Sequence, residues 1–168
     1  SSGSTSCIGA GRGEYVAGTA ATSPSKCLPG TANSQLQQTS CSACTLGSFS
    51  PNAGEITCSK ASIGKYVDRN AATYAIDCRI GTYQNTEGKS SCIDCDKGTY
   101  NPSTASTVVS ACVGCGIGKY NDLKGQPAES SCKRCSSGTY SHTTASSDCF
   151  DCSPGQYQPS SASTSCID

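Results

Sequence analysis

A short phrase, Cys-x-x-Gly-x-Tyr, recurs along this chain at a near-constant step. Cys95-Asp-Lys-Gly98-Thr-Tyr100 is one instance; Cys135-Ser-Ser-Gly138-Thr-Tyr140 and Cys152-Ser-Pro-Gly155-Gln-Tyr157 are others. The opening position falls at residues 10, 27, 44, 61, 78, 95, 115, 135 and 152, so the step is 17 except for two steps of 20. In seven of the nine copies a second cysteine closes the unit, and after two intervening residues the next copy opens. A fixed short period specifies a linear array of similar units, not one globule. The copies run 10–26, 27–43, 44–60, 61–77, 78–94, 95–114, 115–134, 135–151 and 152–168, and residues 1–9 read as the tail of a preceding copy.

Composition says what must hold such copies together. Only 35% of the 168 residues are apolar even with cysteine included, and Trp and Met are absent. That is too little for a conventional core and would ordinarily mean disorder. Fifteen cysteines reverse that conclusion and mark a disulfide scaffold made in an oxidising compartment, secreted or at the cell surface. The formal net charge is zero with 14% charged residues, which gives no attraction for nucleic acid or an anionic membrane. No apolar run is long enough for membrane insertion. The chain lacks a starting Met and a signal peptide, so it reads as processed or as a segment of something longer.

The pattern of missing cysteines indicates the pairing. Seven copies carry both: Cys27 with Cys41, Cys44 with Cys58, Cys78 with Cys92, Cys95 with Cys112, Cys115 with Cys132, Cys135 with Cys149, and Cys152 with Cys166. Two copies carry neither, having Ala10 and Pro24, and Ala61 and Ala75, at the corresponding places. Random loss of four positions would remove two complete partner sets on the order of one time in a hundred. The alternative, zinc held by Cys-x-x-Cys knuckles, has losses that cut through knuckles and only one histidine to supplement them. Cys7 is left over at a closing position, and its partner is expected upstream or in another subunit.

Within a copy, Gly-x-Tyr is β-compatible and is followed by turn chemistry such as Ser50-Pro-Asn-Ala-Gly54 and Asn121-Asp-Leu-Lys-Gly125. The expected fold is small, disulfide-rich and mostly β or irregular: an elongated, solenoid-like array of nine stapled hairpins of about 17–20 residues. Closing each loop stabilises by about 3 kcal/mol in the chain-entropy treatment. The glycine is expected at positive φ, or where backbone passes close to the bridge. Tyr15, Phe49, Tyr66, Tyr83, Tyr100, Tyr120, Tyr140 and Tyr157 are read as rings packed on neighbouring disulfides, in preference to a ligand-binding ladder. Ala32 breaks that rule. Tyr74, beside Ala75, is read as filling the space of the missing sulfurs.

These Cys-x-x-Cys-x-x-Gly-x-Tyr openings resemble the cysteine-rich repeats of ephrin-receptor-like type and, more distantly, those of tumour necrosis factor receptors. The resemblance is strongest from Cys78 to Cys166; Ala10, Pro24, Ala32, Ala61 and Ala75 depart from it. It implies an extracellular, elongated protein without assigning one activity. Arrays of comparable modules also form fibres such as algal mastigonemes.

Catalytic chemistry has little to work with. His142 is the only histidine; Asp94, Asp96, Asp148 and Asp151 flank cysteines singly; Gly116-Ile-Gly118 belongs to the repeat and is not a phosphate loop. No enzyme activity and no cofactor are expected. More than a quarter of the residues are Ser or Thr, as in Ser103-Thr104-Ala105-Ser106-Thr107, so O-linked glycans are a candidate modification. No Asn-x-Ser/Thr acceptor occurs. The primary expectation is a structural subunit or segment of an extracellular fibre, stalk or surface coat whose partner is itself, end to end. The alternative is a receptor-type ectodomain gripping a protein along its side through Val67, Arg69 and Tyr74.

Overall fold

The structure, a computed structural model, describes residues 9–18 and 21–168. Cys7 lies outside them. The chain divides into two compact units, Ser1–Ile76 with Glu87–Ser91, and Asp77–Thr86 with Cys92–Asp168.

Each copy folds as a minimal antiparallel hairpin. One strand is the x-Tyr pair after the repeat glycine. The other is the pair of residues between a closing cysteine and the next opening one. In the first unit Glu14–Tyr15 pairs with Ser25–Lys26, Thr31–Ala32 with Ser42–Ala43, and Ser48–Phe49 with Ser59–Lys60. Lys65–Tyr66 pairs with Ile76–Asp77. In the second unit the pairs are Thr82–Tyr83 with Ile93–Asp94, Thr99–Tyr100 with Val113–Gly114, Lys119–Tyr120 with Lys133–Arg134, and Thr139–Tyr140 with Phe150–Asp151. A single bridge, Tyr157 to Ile167, does the same in copy 152–168. The two 20-residue copies absorb their three extra residues as one turn of 3-10 helix before the closing cysteine, Val109–Ala111 and Glu129–Ser131.

A two-residue hairpin has no independent stability. Bonds between copies supply it. The repeat glycine, three places after the opening residue, donates its amide to the carbonyl six places into the next copy. This holds for Gly13 to Asn33, Gly30 to Ser50 and Gly47 to Val67 in the first unit, at 2.7–2.9 Å. It recurs in the second for Gly81 to Asn101, Gly98 to Asn121, Gly118 to Ser141 and Gly138 to Gln158, at 2.7–2.8 Å. In return, the amide ten places into a copy donates to the carbonyl of the preceding opening residue, as in Ala71 to Cys44 and Ala145 to Cys115, both 2.8 Å. A third bond joins position 6 to position 11 of the next copy, as in Ser50 to Ala72 and Asn121 to Ser146, both 3.0 Å. Within each unit the copies therefore form a solenoid-like stack bonded backbone to backbone.

The glycine is required twice over. All nine repeat glycines have positive φ, between 73° and 91° in the sequence from Gly13 to Gly155. A Cβ on Gly13, Gly30 or Gly47 would also overlap the carbonyl group of Gly54, Ala71 or Gly88, two copies further on; Gly98 and Gly118 stand likewise against Ala145 and Ala162. The close approach is thus to a neighbouring turn two copies away, where the sequence had offered the disulfide.

Candidate functional site

Seven disulfides join Cys27–Cys41, Cys44–Cys58, Cys78–Cys92, Cys95–Cys112, Cys115–Cys132, Cys135–Cys149 and Cys152–Cys166. Among the described residues each bridge lies inside one copy, so sulfur staples seven loops while hydrogen bonds connect neighbouring copies. Each intact Cys-x-x-Cys pair is divided between two bridges, which leaves no knuckle of free thiolates for a metal.

The interior of a copy is built from the opening residue and position 6. Cys27, Cys44, Cys78, Cys95, Cys115 and Cys135 are all buried. Position 6 is polar in every bridged copy: Asn33, Ser50, Gln84, Asn101, Asn121, Ser141 and Gln158. These side chains tie down the turn that follows. Asn101 accepts the Ser103 amide at 3.0 Å and donates to the Thr82 carbonyl and the Ser106 hydroxyl, both 2.9 Å. Asn121 likewise accepts from the Leu123 amide at 3.2 Å and donates to the Thr99 carbonyl at 2.9 Å. Among the described residues, buried side-chain polar atoms all have partners.

The two bridge-free copies have valine at position 6 instead, Val16 and Val67. Around Val67, buried Ala61 and Ala72 form an apolar cluster against which Phe49 and Ala75 pack. This cluster occupies the interior of copy 61–77. The reading of Tyr74 as a filler is therefore corrected. Its ring is exposed, with the Arg69 guanidinium 5.3 Å from its centroid. Tyr74 lies in a bend and stays outside, whereas Ala75, next to it, packs against the cluster. The proposed side patch is corrected too: Val67 is buried, which leaves Arg69 and Tyr74 as its exposed members.

The repeat aromatics do not form an enclosed core. Tyr15, Phe49, Tyr66, Tyr83, Tyr100, Tyr120 and Tyr140 are half-buried and Tyr157 is exposed. Two of the rings, Tyr83 and Tyr120, border surface clefts. One, of about 410 Å³, is lined by Tyr83, Ile93, Asp94, Asp96, Val109 and Lys124 among others, and Cys112 of the next copy. Its counterpart beside Tyr120 is about 280 Å³ and includes Arg134, Thr139, Asp148, Cys149 and Asp151.

The charged groups singled out in the sequence are taken up mainly by surface pairing. Arg79 meets Asp94 at 3.3 Å and Lys124 meets Asp96 at 2.8 Å. The Asp148 carboxylate accepts the Cys149 amide at 2.8 Å. Hydrogen bonding to Asp96 raises the Lys124 pKa. Lys133 reaches both oxygens of Asp122 at 2.8 and 2.9 Å, which lowers the Asp122 pKa and raises that of Lys133. Such solvent-exposed pairs contribute little to stability. His142 is exposed, with its ring 5.8 Å from Tyr140 and 5.4 Å from Phe150.

Residues 64–112 match the family model for tyrosine-protein kinase ephrin type A/B receptor-like repeats. Together with seven tandem bridges and eight hairpins, this match decides the class. The chain is a cysteine-rich repeat array. No curated protein matches it. The bridges and the receptor-like match point to a location outside the cell or at its surface. Among the described residues no helix is long and apolar enough to cross a membrane.

Proposed function

We propose that the array is a structural segment of an extracellular fibre, stalk or surface coat, with its own repeats as its principal partners and no catalytic role. The observation that carries this reading is the constancy of the copy-to-copy bonding. Within each unit the same three backbone bonds recur between copies despite wide variation in side chains. Such a stack extends by addition of like units, and length becomes its adjustable property. Electron microscopy of the purified protein tests the reading. Filaments or end-to-end chains are expected; discrete particles that never associate end to end would count against it. The exposed hydroxyls of Thr104, Thr144 and Ser161 are candidate O-glycan acceptors, and an intact mass unchanged by chemical deglycosylation would remove that part of the proposal.

A second reading, a receptor-type ectodomain, is favoured by the exposed Arg69–Tyr74 pair in the copy with the divergent interior. It predicts that Arg69→Ala with Tyr74→Ala abolishes association with a protein ligand; unchanged association removes it.

A further inference from the structure

Tension along a stapled copy passes through its disulfide. The chain enters at the opening cysteine, crosses the bridge and leaves at the closing one, so the loop between them cannot be drawn out. Between the bridges of copies 27–43 and 44–60, the free run is Cys41 to Cys44, about 11 Å when fully extended. Copy 61–77 differs. From Cys58 to Cys78 no covalent shortcut exists, and the same stretch can reach about 70 Å.

What holds this copy closed is non-covalent. Ala61 donates to Gly47, Gly47 to Val67, Ser50 to Ala72 and Ala71 to Cys44; on its other side Val67 donates to Lys89 and Gly88 to Ala61, all at 2.8–3.0 Å. The Ala61, Val67 and Ala72 cluster, with Phe49 and Ala75 against it, is its apolar content. Stapled copies carry equivalent bonds and a bridge besides. We propose that copy 61–77 is a length-releasing element: under load it opens, lengthens the chain by a fixed increment, and recloses when the load falls, while the stapled copies keep their loops. No bond is made or broken in sulfur chemistry. The inference concerns how the chain yields under tension and goes beyond the fibre assignment, which electron microscopy tests separately.

The test is single-molecule stretching of the full chain, held through terminal peptide tags without reductant. The residues before Cys27 also lack a described bridge, so the informative quantity is a difference between variants. Ala61→Cys with Ala75→Cys, oxidised and checked by non-reducing peptide mapping, is expected to shorten the released length by about 45 Å, and reductant is expected to restore the loss. Equal released lengths in the parent and the oxidised variant would overturn the proposal. Failure of the two introduced thiols to pair would also overturn it, because the proposal requires this copy to follow the same path as the stapled ones. Val67→Ala is expected to lower the opening force and leave the length unchanged; an unchanged force would show that the apolar cluster does not hold the element shut.

Discussion

Copies 44–60 and 61–77 are neighbours with one backbone plan and two different interiors. The first has a buried half-cystine, Cys44, with a hydroxyl at position 6, Ser50, which donates to the Asn52 carbonyl at 3.3 Å. The second has a buried alanine, Ala61, with an isopropyl group at position 6, Val67. Loop closure stabilises the first by about 3 kcal/mol. Burying a valine side chain contributes about 1.5–2 kcal/mol to the second. The apolar solution therefore replaces roughly half of what the bridge provides, and the fold tolerates the shortfall because both copies are clamped by the same bonds to their neighbours. The comparison separates what the repeat needs everywhere, glycine and backbone bonding, from what it can exchange.

The most damaging change is expected at the element both copies share. Gly47→Ala places a methyl group into the carbonyl of Gly88 and forces a side chain onto φ 79°. Backbone strain and displacement of a neighbouring turn together are expected to cost about 3 kcal/mol or more, the sum of two ordinary effects. Gly116→Ala, with open space around it, serves as control. A denaturant titration showing the two variants alike would mean that the copies do not rely on this approach.

Next in size is conversion of one interior into the other. Cys44→Ala with Cys58→Ala is expected to lose about 3 kcal/mol. Adding Ser50→Val to that background should restore about 1 kcal/mol, because the cavity left by the missing sulfur would then be filled as the space beside Ala61 is filled by Val67. Ser50→Val with the bridge intact should instead destabilise. If the valine fails to help the bridge-free variant, position 6 is not the compensating site. The smaller partner experiment is Val67→Ala, expected to cost about 2 kcal/mol through lost burial and a cavity. Repeating it with Ala61→Cys and Ala75→Cys joined by a bridge measures the coupling directly.

These contrasts also explain what could be read in advance. The period, the hairpins and the positive φ of the glycine were legible because each demands a particular residue type at a particular spacing. Bonding between copies was not, since it runs through amides and carbonyls that nearly every residue carries. The compensation at Val67 was visible as a letter, but its meaning depends on knowing that position 6 faces inward. Tyr74 was misplaced because adjacency to Ala75 in sequence says nothing of direction. The repeat tyrosines, read as packing on disulfides, are half-buried except for the exposed Tyr157, and Tyr83 and Tyr120 share clefts with Cys112 and Cys149. Asp94 and Asp96, which flank Cys95 singly in the sequence, line a cleft, and their ion pairs to Arg79 and Lys124 join residues 15 and 28 places apart.

The smallest expected effect isolates a single variable. Gly47 and Gly54 have the same φ, 79°, yet different surroundings: a Cβ on Gly54 would lie 3.4 Å from the Lys26 side chain, in ordinary contact. Position 10, where Gly54 sits, is left-handed in every copy that has a described residue there, and it carries alanine in four of them, Ala71, Ala105, Ala145 and Ala162, at φ 52–61°. These alanines meet no collision and bear only the cost of their own backbone conformation, about 1–2 kcal/mol for a non-glycine residue. Ala105→Gly removes that cost but adds freedom to the unfolded chain worth about 0.4–1 kcal/mol, so a net gain of about 0.5–1 kcal/mol is expected. Gly54→Ala should lose a similar amount. The difference between Gly54→Ala and Gly47→Ala, measured by denaturant midpoint, then reports the close approach alone, because φ is held constant. A difference near zero would place the glycine requirement wholly in backbone conformation, and the spacing between copies would have to be set by something else.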